Sequence, residues 1–302
     1  MLAKLLQSIK DRQEERNRLI QEKFDELLRN LDQQRSQGKH FVAIQTNYML
    51  DSSLSFSQNM FKDQRLITLI GERHDLTWKC PGDSLTVAQY CKMAVERNSK
   101  CRVMLEFHPS MDPLINQSEA IKTIFTSLQC INKTNQIISF DKRDDFLTRP
   151  YHQNLYHASQ PDFIALGHQN VFNYYVKPFS DNFKLFDLNT SYDSDIMRYL
   201  HDIFLKDIIP HFEIIGAKLN KGEDLLNIRN GLWHAWKKVC DFFILKEIFS
   251  PDDIDEYIVI VGKKHTDNLD GLLPSTPYVK NINVQYSKNK GDCVTLFQSY
   301  LV

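Results

Sequence analysis

Four short apolar runs in this chain end in groups that do chemistry. Leu66-Ile67-Thr68-Leu69-Ile70 leads into Gly71-Glu72-Arg73-His74-Asp75, and Val103-Met104-Leu105 leads into Glu106-Phe107-His108-Pro109. Ile137-Ile138-Ser139-Phe140 leads into Asp141-Lys142-Arg143, and Tyr257 to Val261 leads into Gly262-Lys263-Lys264-His265. Carboxylates and neutral imidazoles gathered at one place can move a proton to and from water. They can also hold a divalent metal that lowers the pKa of its water and polarises a carbonyl. Both routes are hydrolytic. A guanidinium beside them would stabilise developing negative charge or clamp a substrate carboxylate. His74, Glu106, Arg143 and His265 are therefore the candidate catalytic residues. His74, Glu106 and His265, with Glu72 and His108, are the candidate ligands for Mn, Co or Zn. Asp187, after the run Phe183 to Phe186, is a weaker candidate. Lys263 and Lys264 read as solvated loop charges.

These groups meet only if the elements bring them together. Apolar, β-branched runs closed by Gly or Pro read as buried parallel strands. Strands separated by helices favour a parallel sheet with right-handed crossovers, whose C-terminal ends share one edge, the edge where open α/β sheets bind ligands. In an extended chain Glu72 and His74 project to the same side. The predicted strands are Phe41 to Ile44, Leu66 to Gly71, Arg102 to Phe107, Gln136 to Phe140, Phe183 to Leu188, Glu256 to Gly262 and, at an edge, Cys293 to Phe297. Helices are expected over Leu85 to Arg97, capped by Asp83-Ser84, then over Ser118 to Leu128, Ser191 to His211 with Pro210 as breaker, and Glu223 to Phe249. The fold class is α/β, a mixed, mainly parallel sheet flanked by helices, with a long N-terminal helical segment. Residues 1–38 form that helical arm, and 39–302 form one domain with a loop-rich insertion around 144–182, rich in His, Tyr, Asn and Pro. Its His152, His157 and His168 offer a second reading, a haem- or metal-loading surface.

The arm carries Leu2, Leu5, Leu6 and Ile9, then Leu19, Ile20, Phe24, Leu27, Leu28 and Leu31, at helical spacing, around a polar interval from Lys10 to Arg18. That interval interrupts a heptad seam. Two helical segments packing on the domain are preferred to a coiled coil that would make a homo-oligomer. The 302 residues hold no run of about 18 apolar residues, so no membrane span is expected. The first residues run straight into charge without a cleavage site, which speaks against a secretory signal. Six scattered cysteines without a CxxC pair fit free thiols in a reducing, intracellular, cytoplasmic setting. A net charge of −1 with dispersed Lys and Arg does not suggest nucleic acid.

The two Gly-x-x-His motifs, Gly71 to His74 and Gly262 to His265, with Glu106 between them and Arg143 downstream, resemble the Tiki/TraB superfamily. That group takes in Tiki-type metalloproteases, erythromycin esterases, ChaN-like haem-binding proteins and a domain of mitogenic bacterial toxins. The Gly-Glu-x-His form of the first motif is nearest the ChaN and esterase style. The resemblance implies an α/β fold with its site at one sheet edge and hydrolysis of an amide or ester in a small-molecule or peptide substrate. By motif position it implies His74, Glu106, Arg143 and His265 as the functional residues. The alternative is a non-catalytic binding or effector module of the same fold, assembled through the N-terminal helix.

Overall fold

The computed structural model describes residues 18, 43–46, 51–54, 66–72, 84–106, 119–147, 151, 155, 158–187, 194–250, 252–254, 256–275, 279–283 and 293–295. The expected N-terminal arm lies outside these, apart from Arg18, which is helical and exposed. The strands are β1 Ala43–Thr46, β2 Asp51–Leu54, β3 Leu66–Glu72, β4 Ser84–Thr86, β5 Cys101–Leu105, β6 Ile137–Ser139, β7 Glu256–Gly262, β8 Val279–Asn283 and β9 Cys293–Thr295. Among the described residues the helices of eight or more residues are α1 Val87–Arg97, α2 Glu119–Gln129, α3 Ser194–Ile203, α4 Ile209–Asn220, α5 Leu225–Ile248 and α6 Lys263–Leu272. The chain divides into two compact units, Met1–Ile138 with Asp253–Val302, and Ser139–Asp252. The single domain read from the sequence is thus interrupted by a helical unit.

The first unit holds the sheet, in the order β6-β5-β7-β3-β1-β2-β8. Strands β5, β7, β3 and β1 run parallel, and at the far side β2 pairs antiparallel with both β1 and β8. β7 enters between β5 and β3. Its residues Tyr257, Ile258, Val259, Ile260 and Val261 are all fully buried, as an unbroken apolar strand between two parallel neighbours should be. On one face, α1 and α2 close a core in which Val103, Leu105, Ile258 and Ile260 pack with Tyr90, Cys91, Val95, Ile124 and Leu128. Of the expected cap Asp83-Ser84, Asp83 lies outside the described residues and Ser84 is in a strand. Ser84–Thr86 instead pairs antiparallel with β9, so β9 belongs to this two-stranded ribbon and not to an edge of the main sheet.

The N-terminal edge of the sheet is tied by polar groups. Glu256, 1 % exposed, accepts from Arg97 Nη2 at 3.0 Å and Asn98 Nδ2 at 3.2 Å. Gln136 Nε2 donates to the carbonyls of Asn98, Ser99 and Cys101 at 3.1, 3.3 and 2.8 Å. A buried carboxylate is tolerated only with such partners. Burial, with Glu256 next in effect, pushes the Tyr90 hydroxyl and the Cys91 thiol well above their ordinary values.

The second unit is helical, and here the sequence expectations fail in three places. The loop-rich insertion contains the helical segments Gln160–Ala165, Gly167–Val171 and Lys177–Asp181. Ser159 starts the first as N-cap, its Oγ accepting from the Asp162 N–H at 3.3 Å, with Pro161 in the first turn where a missing N–H costs nothing. Pro210 does not break its helix. A π turn, Phe204–Ile208, joins α3 to α4, and a matching π turn, Phe172–Val176, precedes Pro178. A π turn reaches one residue further than an α turn and so passes over a proline's absent N–H. Finally, Phe183–Phe186 is a 3₁₀ turn and not a strand. Phe183 and Phe186, three residues apart, both meet the Phe179 ring edge to face, with centroids 5.0 and 5.5 Å from it, whereas an alternating strand would point them to opposite sides. The core of the unit is aromatic. Phe179 lies parallel to Phe212 at 3.8 Å, and Trp236 donates from Nε1 to the Tyr175 carbonyl at 3.2 Å.

Candidate functional site

The register of the parallel strands places the candidate residues. Leu105 of β5 pairs with Ile260 of β7, and Glu72 of β3 pairs with Gly262 of β7, so the three strands end at one edge. Glu106 is the first residue after β5. β7 passes directly into α6 through Gly262, whose φ of −60° and ψ of 152° are extended values open to any residue. Thr266, fully buried, donates from Oγ1 to the Gly262 carbonyl at 3.3 Å and fixes the first turn of α6, which carries His265. His265 Nε2 then lies 3.8 Å from Glu106 Oε1, with the two side chains 9 % and 15 % exposed. That separation exceeds a hydrogen bond, and it leaves the carboxylate and the imidazole facing each other in a mostly desolvated setting. The pair can relay a proton to or from a third group placed against it.

His74 and His108, with the side chain of Glu72, lie outside the described residues, as do His152 and His157. His74 follows the last residue of β3 by two positions. Among the described residues no three His, Cys, Asp or Glu side chains converge as a metal group. An open catalytic zinc site uses three protein ligands, and Glu106 with His265 supply two. On their own these two do not make a metal centre.

Asp141 and Arg143 belong to the second unit and face each other. Arg143 Nε donates to Asp141 Oδ1 and Nη2 to Oδ2, both at 2.7 Å, and the Arg143 backbone N–H reaches Oδ1 at 3.2 Å. The Cys240 thiol donates to the same Oδ1 at 3.8 Å. The guanidinium fork expected to stabilise a reaction is set on a buried carboxylate. Asp187 is exposed, and its carbonyl, with that of Leu185, accepts from Lys246 Nζ at 2.8 and 3.0 Å. His168 Nε2 sits 2.7 Å from the Glu223 carbonyl, a structural tie. Lys264 is exposed and lies in the first turn of α6, not in the loop expected from the sequence. Thr266 is the positioning residue that the sequence reading passed over. A Thr four residues after a strand-ending Gly, able to bond back to its carbonyl, was the available signal.

The fold and these groups define an α/β protein whose parallel sheet carries a carboxylate–imidazole pair at its carboxyl edge. Compared with protein-family models, curated proteins and solved structures, the chain matches none. No helix among the described residues is long and apolar enough to cross a membrane.

Proposed function

We propose that this chain hydrolyses an ester or amide bond by water attack on a carbonyl, with Glu106 and His265 as the proton-handling pair. The observation that carries the reading is the largely buried approach of the two side chains, 3.8 Å apart, at the carboxyl ends of neighbouring strands. The order of motifs shared in resemblance with Tiki/TraB proteins supports the same reaction class. Water bound against the pair gives a proton to the imidazole as its oxygen attacks the carbonyl carbon. The Glu106 carboxylate lies beside the positive charge left on the ring. The same proton then passes to the departing alkoxide or amine, which restores the pair. Catalytic contacts are commonly long without substrate, so a gap of this size is compatible with closure on binding. Arg143 holds its fork on Asp141.

The test is turnover of a panel of p-nitrophenyl esters and fluorogenic peptide amides by the full chain. His265→Asn and Glu106→Gln are expected to lower kcat/KM about 10²- to 10⁴-fold with unchanged circular dichroism. His74→Ala lowers it too if that residue completes the site. A wild-type chain without turnover, or variants that keep the wild-type rate, would sink the reading and favour a non-catalytic binding module. Loss of activity on chelation, restored by Mn²⁺, Co²⁺ or Zn²⁺, would reassign the pair from proton carriers to metal ligands.

A further inference from the structure

No further inference is drawn: the strongest candidate, the buried Tyr175 hydroxyl in the π turn of the helical unit, which has no hydrogen-bond partner among the described residues and lies among the Tyr151 and Phe163 rings, carries nothing because a single hydroxyl among aromatic rings selects no class of ligand.

Discussion

Glu106, Arg143 and His265 were all candidates in the sequence, and geometry separates Arg143 from the other two. Asp141 and Arg143 are closed on each other by two contacts of 2.7 Å, with side chains 7 % and 9 % exposed. Such a pair holds a fold, because removing either partner strands a buried charge. Arg143→Ala is therefore expected to lower unfolding stability by about 3–5 kcal/mol, and Arg143→Lys to recover only part, since an ammonium cannot reproduce the fork. Urea unfolding followed by far-UV circular dichroism measures both. Glu106 and His265 approach less closely, at 3.8 Å. At 3.8 Å the pair lies beyond hydrogen-bond distance, so His265→Asn is expected to lower unfolding stability less than Arg143→Ala does, while abolishing the proposed turnover. A large loss of stability in His265→Asn would instead make the pair a structural tie like the first.

At the scale of elements, the strands were legible wherever burial was two-sided. β3, β5 and β7 are continuous apolar runs, and nothing but a central position in a parallel sheet accommodates them. Their common edge followed from parallelism alone, which is why Glu106 and His265 could be expected close to one another. Ile258 of β7 packs in the α1–α2 core, and Ile258→Ala is expected to cost about 2–5 kcal/mol, read from the same unfolding curves. The helices of residues 160–181 were not legible, because Pro161, Gly167 and Pro178 read as breakers. Each has a local solution: Pro161 sits in a first turn, Gly167 takes a φ of 72° between two helical segments, and a π turn precedes Pro178. Phe183 to Phe186 misled in the opposite way, since short aromatic runs serve a strand or a tight helical turn equally well. The Ser159 cap was the visible sign of the missed helix. Ser159→Ala should destabilise the helical unit by about 1 kcal/mol, measurable as faster amide exchange over residues 160–165.

At the scale of the whole chain, buried neutral groups give each compact unit its own response to alkali. In the first unit, burial holds the Cys91 thiol and the Tyr90 hydroxyl protonated well past their ordinary range. The folded state then keeps protons that the unfolded state gives up. The stability these groups contribute is complete below about pH 9, the ordinary thiol value, and is lost as pH rises beyond it, by roughly 1.4 kcal/mol per group for each pH unit. Cys91 acts first and Tyr90 joins above about pH 10. In the second unit the signs oppose. Burial raises Tyr199 and takes Tyr175 up to about 12, whereas it lowers Lys246, so that stability gained by shedding the lysine proton offsets part of the tyrosine loss. Thiol labelling resolves the units, because Cys91 and Cys101 are buried in the first and Cys240 in the second. With rates referred to the denatured chain at the same pH, protection of Cys101 should fall steeply between about pH 9 and pH 10, and less steeply in Cys91→Ala. Protection of Cys240 should change less over that interval. Equal slopes at Cys101 in the wild type and in Cys91→Ala would show that the Cys91 thiol does not couple the sheet unit to alkali, and that the loss has another origin.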